Sequence, residues 1–228
     1  MTISILAFDE KSGTYGGAAA TGSLCVGGWV LRGDAESGMS ASQGSLPSTL
    51  WGTESLSMMK AGASAPETVE ALTASDEGRM HRQLAVLDPT GLTASFTGNE
   101  SIPVASARSA EGVIASGNML KNASVLDAAL HGYLDATGAM SDRLLAALDA
   151  AAAAGGDSRG LLSAALLVVS RDMAPLTLRI DKSDAPLADL RALYTSATTG
   201  PYAEWAKMVP TVSDPESAIP FVGDVEIV

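Results

Sequence analysis

Residues 2–9 read TISILAFD, a run that is almost continuously apolar after its first residues. A strand with two apolar faces has no side to give to water, so it needs cover above and below. This requirement argues against a simple two-layer sheet and frames the rest of the chain. EKSGT supplies a turn after the strand, and YGGAAATGSLCVGG and GMSASQG continue in small side chains, a composition that lets backbones or a second layer approach closely.

Two helical stretches follow. PSTLWGTESLSMMKAG carries Leu50, Leu56 and Met59 at loosely helical spacing, and SAPETVEALTAS opens with Ser64 and Glu67 three residues apart, the spacing of a capping box. RQLAVLD and LTASFTG flank the turn Pro89-Thr90-Gly91 and predict a hairpin, and EGVIASGN predicts another strand. Amphipathic helices are expected from Ser124 to about Thr137 and from Ser141 to Ala154, stopped by Gly155 and Gly156. SAALLVVSR and LTLRID then form a hairpin-like pair before a helix around PLADLRALY, and from about Thr211 an irregular tail begins. Helix pairs segregated from strand groups point to α+β layering rather than alternating βαβ units. Two face-to-face sheets with helices outside give a four-layer αββα sandwich, the Ntn-hydrolase-like architecture, as a single domain over residues 1–228.

A net charge of −12 and a pI near 4.4, with no basic cluster, argue against nucleic acid and anionic membrane surfaces as partners. Asp9 and Glu10 break any apolar leader, no run is long enough to span a bilayer, and the single cysteine, Cys25, fits a reducing cytoplasm. Cys25 reads as a buried thiol in a strand of small residues. His81 and His131 are isolated, without metal-ligand spacing, so neither a metal site nor a cofactor is expected. Trp29, Trp51, Trp205 and Phe221, two of them near the irregular C-terminal stretch, predict a homo-oligomer that uses that tail.

TISILAFDEKSG, RQLAVLD with its turn and FTG, SGNML, GGDSRG followed by SAALLVVS, and LRIDKSDAPLADLRALY together resemble the DUF1028 family, in the right order over nearly the whole chain. The resemblance implies an Ntn-hydrolase-like fold, whose enzymes use their N-terminal residue as nucleophile, while the family's own activity is undetermined. Two places depart from the family's usual pattern: Leu161-Leu162-Ser163 after the GGD block, and Pro103-Val104-Ala105-Ser106 after FTG.

Met1 precedes the small residue Thr2, an arrangement that permits trimming and would leave a threonine whose hydroxyl attacks while its own amine takes the proton. Proteasome-type threonine hydrolases add an aspartate in the second strand and a lysine in the third. This chain offers Thr21 near the first place, no lysine before Lys60 after the strand region, and Arg32 or Arg82 as other sources of positive charge. Gln43 and Asn118, amides at strand ends, are candidate oxyanion donors beside Thr2, or else partners of turn backbone. Arg82, Asp157 and Arg159 are candidate substrate contacts, although Asp157 and Arg159 can equally fix the loop they share, and Arg179, Asp181 and Asp184 read as holding a strand-to-helix turn. Two functions follow: an N-terminal-nucleophile amidohydrolase acting on a small amide or peptide-like molecule, or a catalytically silent ligand-binding or scaffolding protein on the same fold.

Overall fold

The computed structural model describes residues 2–156 and 159–218. Strands β1 (Thr2–Asp9) and β2 (Thr14–Thr21) open the chain, and a short helix α1 (Val26–Trp29) leads to β3 (Leu31–Asp34) and β4 (Gly38–Gly44). Helices α2 (Thr49–Lys60) and α3 (Ala65–Ala74) come next, then β5 (Arg82–Leu87), β6 (Thr93–Thr97), β7 (Ser106–Ala110) and β8 (Val113–Asn118). Helices α4 (Ser124–Asp135) and α5 (Met140–Ala153), strands β9 (Ser163–Ser170) and β10 (Met173–Ile180), and helices α6 (Pro186–Thr198) and α7 (Gly200–Ala206) complete it. The strands form a six-stranded sheet, β10-β9-β2-β1-β8-β7, and a four-stranded sheet, β3-β4-β5-β6, with every neighbouring pair antiparallel. The class is mixed α+β, as the segregated helix pairs predict.

The alternation of side chains along β1 accounts for its apolar character. Ile3, Ile5 and Ala7 face one way, into a cluster with Leu126, Leu144 and Leu148 of α4 and α5. Leu6 faces the other way, into a cluster that joins the two sheets through Ala19, Met39, Ala41, Ala85 and Leu87. A third cluster, Trp51, Met59, Val69, Leu72, Leu84 and Val86, seats α2 and α3 on the four-stranded sheet. Ile3, Ile5 and Leu6 are fully buried, and each contributes about 1.5–3 kcal/mol by leaving water.

Glycines in β2 set the layer spacing. A Cβ on Gly16 would lie 2.6 Å from Met140 Cγ in α5, and one on Gly17 would lie 2.8 Å from Met39 Cε in the opposite sheet. Both faces of β2 are therefore already filled to contact by their neighbours.

Local signals explain the remaining joints. The capping box is present: the Glu67 carboxylate accepts from Ser64 N–H at 2.9 Å and Ser64 Oγ at 2.6 Å, which depresses its pKa. In the β5–β6 hairpin, the buried Asp88 carboxylate accepts from the N–H groups of Thr90 (2.9 Å) and Leu92 (3.2 Å) and, through its other oxygen, from Ala65 N–H (2.9 Å) at the head of α3. One side chain thus fixes a turn and joins it to a helix.

The structure corrects two expectations and adds one element. Cys25 does not lie in a strand: it precedes α1 in the left-handed region (φ 61°) and is half-buried. Two glycines, Gly27 and Gly28, make a one-turn helix possible there because Arg179 packs where their side chains would be. Trp51 is unavailable to an oligomer contact, being buried edge-on to Phe96 under α2, while Trp205 is exposed and Phe221 lies outside the described residues. The segment after α6 carries the further helix α7 before the irregular stretch. No helix among the described residues is long and apolar enough to cross a membrane.

Gly17→Val overfills the inter-sheet layer and is expected to lower unfolding free energy by about 1–3 kcal/mol, read as a lower urea midpoint with unchanged slope. Tyr133, buried under Arg143 between α4 and α5, has its phenol pKa raised by desolvation. A raised folded-state value favours the neutral phenol in the fold, so its contribution is complete below about pH 10 and lost as pH rises through the folded-state value. The melting temperature should therefore fall above about pH 10, less steeply in Tyr133→Phe, as followed by circular dichroism.

Candidate functional site

The same alternation that sends Ile3 and Ile5 outward points Thr2, Ser4 and Leu6 between the sheets. Strand pairing places Thr21 of β2 and Asn118 of β8 directly beside Thr2, so three polar side chains from adjacent strands share one level of one face. Opposite them, at the matching end of the other sheet, Gln43 of β4 pairs with Gln83 of β5. One level deeper, Ser4 and Ser116 Oγ atoms hydrogen-bond at 2.9 Å, and beyond them the inter-sheet layer becomes apolar.

Thr2 is held from two sides. Its backbone N–H donates to Asn118 Oδ1 at 3.1 Å, and its Oγ1 donates to Thr21 Oγ1 at 3.3 Å. With Oδ1 committed to Thr2, the other amide atom of Asn118 is Nδ2, a buried donor with no hydrogen-bond partner among the described residues. Asn118 as a whole is 2 % exposed.

These residues line a cavity of about 400 Å³, the size of a small-molecule site. Thr2, Thr21, Gln43 and Asn118 contribute to its polar lining, and Val26, Trp29, Val30, Pro47 and Ile102 to its apolar lining. The wall formed by α1 is built by side chains from the far end of the chain. Ser163 Oγ at the start of β9 donates to Ser23 O at 2.8 Å and accepts from Val26 N–H at 3.1 Å. Cys25 N–H donates to Asp181 O, and the Arg179 guanidinium is gripped by the Asp181 carboxylate at 2.9 and 3.0 Å. The structural reading of Arg179 and Asp181 thus corresponds to a definite task, seating α1 against the sheet. The opposite rim is fixed by Met119 N–H donating to Ile102 O at 2.8 Å.

Of the expected site residues, the fold brings Thr2, Gln43, Asn118 and Arg159 to one cavity. Arg159 stands at the exposed rim, its Nη2 3.5 Å from Ser23 Oγ, and Asp157 lies outside the described residues. Arg82 is elsewhere: its guanidinium pairs with Asp76, donates to Leu46 O and stacks over Trp51, lining a separate cleft. Arg32 is also committed, donating to Leu31 O and Gly28 O, and Lys60 pairs with Glu36. Among the described residues, Arg159 is therefore the sole ionisable side chain lining the cavity.

Gln43 carries, besides its amide donors, a buried acceptor that its place at a strand end does not reveal. Gln83 Nε2 donates to Thr97 Oγ1 (2.9 Å), Ser106 O (3.1 Å) and Gly117 O (3.1 Å), which fixes Gln83 Oε1 as the acceptor of Gln43 Nε2 at 2.7 Å. One N–H of the Gln43 NH2 group is engaged with Gln83, and the Gln43 atom without a hydrogen-bond partner among the described residues is an acceptor, Oε1. Within RQLAVLD, Gln83 reads only as a polar residue near the start of a strand. Trp29, expected at an oligomer contact, is a half-exposed wall of the cavity.

A second cavity, of about 510 Å³, lies where α6 and α7 meet the β9–β10 turn and is lined by Met173, Leu176, Tyr202 and Trp205. It lacks the convergent buried amides and hydroxyls of the first. Among the described residues, no group of three or more His, Cys, Asp and Glu side chains converges as a metal site.

Comparison with known proteins places this geometry in a family. No curated protein matches the chain. The crystal structure of protein SPO2555 from Silicibacter pomeroyi, of the DUF1028 family, is 51% identical, with a TM-score of 0.91 over 95% of this chain and 98% of that one. The family described as "Family of unknown function (DUF1028)" matches residues 2–190, which include Thr2, Thr21, Gln43, Gln83, Asn118 and the α1 wall, and the chain belongs to that family.

Proposed function

We propose that the helix-covered pair of sheets is an Ntn-hydrolase-like four-layer αββα sandwich and that the protein is an N-terminal-nucleophile amidohydrolase, with Thr2 as nucleophile and a small amide or peptide-like molecule as substrate. The observation that carries this reading is the place of Thr2: the first residue of a central strand, side chain in the cavity, beside a buried amide donor with no hydrogen-bond partner among the described residues. An unpaired buried donor costs about 1–3 kcal/mol, a cost offset when an incoming oxygen accepts from it.

Cleavage of the Met1–Thr2 bond turns the Thr2 nitrogen from a non-basic amide into an amine that titrates near about pH 8. The neutral amine takes the hydroxyl proton as Oγ1 attacks the substrate carbonyl carbon. A C–O bond forms, and the carbonyl oxygen becomes an oxyanion that accepts from Asn118 Nδ2. Collapse breaks the C–N bond, the ammonium returns its proton to the leaving nitrogen, and an ester remains on Thr2. Water then attacks that ester with the same amine as base, releasing the carboxylic acid and restoring the hydroxyl. Thr21 Oγ1 orients the nucleophile throughout, and Asn118 Oδ1 holds the amine.

One observation favours the non-catalytic reading: no carboxylate or ammonium side chain among the described residues lines the cavity to tune Thr2. The two readings separate on a covalent probe. In protein cleaved to begin at Thr2, a β-lactone should acylate Thr2 by ring opening, with the adduct mapped to that residue by peptide mass spectrometry. Thr2→Ala should lose the adduct with an essentially unchanged melting temperature, and Asn118→Ala should slow acylation by about 10²–10³-fold. An adduct that persists in Thr2→Ala, or cleaved protein inert to the lactone and to a panel of amides, makes this a binding protein instead.

A further inference from the structure

The buried acceptor on Gln43 has no role in the chemistry above. Gln43 is 1 % exposed and lines the cavity, whereas Gln83, to which its Nε2 points, does not. Its orientation is fixed by Gln83, whose two backbone acceptors, Ser106 O and Gly117 O, admit only the Nε2 end. Turning Gln43 over would set two carbonyl oxygens against each other and waste a donor. Gln43 Oε1 is thus an acceptor of fixed direction, without a partner among the described residues. Across the same cavity, Asn118 Nδ2 is an unpartnered buried donor whose direction is fixed in the same way by Thr2.

Building on the amidohydrolase reading, we infer that Gln43 determines specificity by accepting a substrate N–H, so that the site takes amides carrying at least one N–H and disfavours esters of the same shape. A secondary or primary amide has what the two orphan atoms lack: an oxygen for Asn118 Nδ2 and an N–H for Gln43 Oε1. An ester supplies the oxygen and puts a second lone-pair atom where the N–H would be. It leaves Gln43 Oε1 desolvated and unpaired, and sites built to bond an N–H or O–H reject analogues without one far better than apolar pockets reject an extra methylene. Gln43 acts here by contact with substrate, while Gln83 is a positioning residue that fixes which end of the Gln43 amide is the acceptor.

The inference is tested by binding, without turnover, on the full chain carrying Thr2→Ala. N-methylisobutyramide and methyl isobutyrate differ by one N–H for one oxygen and are titrated separately, followed by the ¹⁵N-resolved side-chain amide signals of Gln43 and Asn118. The amide should move both signals and bind about tenfold or more tightly than the ester, the ratio expected when one buried acceptor is left unpaired. In Gln43→Met, similar in length but without the acceptor, the preference should fall below about threefold, since what then remains is the ordinary difference between amide and ester carbonyls as acceptors. Should Gln43→Met fail to fold, the Gln43 signal in the parent protein decides, because only a ligand N–H at Oε1 shifts it with the amide and not with the ester. Equal affinities, no binding of either compound, or a preference that survives Gln43→Met overturns the inference. Amide preference without lactone labelling of Thr2 leaves the acceptor role of Gln43 standing and removes only the hydrolase.

Discussion

Two-sided burial of β1 is the constraint on which the structure depends. A central strand whose odd residues pack under α4 and α5 and whose even residues enter the space between sheets must be matched by a neighbour thin enough to fit the same space. β2 meets that need with Gly16, Gly17 and three alanines, and the contacts at Gly16 and Gly17 leave no room for larger side chains. The helices close one face and the second sheet closes the other, so the middle of β1 is fully buried and the cavity lies at its N-terminal end. Thr2 stands there, half-buried and hydrogen-bonded on both sides.

The polarity of the inter-sheet layer follows a gradient toward that opening. Leu6, Ala19 and Ile114 give way to Ser4 and Ser116, and these to Thr2, Thr21 and Asn118 facing Gln43 and Gln83. Most polar atoms in this layer satisfy each other, as buried groups must. Asn118 Nδ2 and Gln43 Oε1 stand out because their other ends are engaged and they themselves have no partner among the described residues. One donor and one acceptor at a cavity beside a strand-leading threonine form the pattern that supports an amide as ligand and Thr2 as the attacking group.

Much of this was legible in the sequence because strand and hairpin signals are local. TISILAFD, RQLAVLD and EGVIASGN fall on β1, β5 and β8, and the strand-end amides Gln43 and Asn118 lie at the same cavity as Thr2. What was not legible depends on partners distant in the chain. Arg82 reads as a free cation, but Asp76 and Trp51 hold its guanidinium in another cleft. The donor-or-acceptor identity of Gln43 is decided by Gln83, and that of Gln83 by carbonyls of β7 and β8, so no inspection of GMSASQG alone reveals it. The α1 wall is likewise invisible in LCVGGW, since the turn is held by Ser163 and Asp181, more than a hundred residues away. Those are register and packing facts, set by the whole sheet.

Catalysis at Thr2 needs its nitrogen as a base, and that nitrogen is a base only if the bond before it is cut. Intact-mass and N-terminal sequencing of the protein purified from its native host measure that directly. The expected result is a chain that begins at Thr2 with an unmodified amine. A chain that retains Met1 in peptide linkage to Thr2, or a Thr2 amine that is acylated, contradicts it.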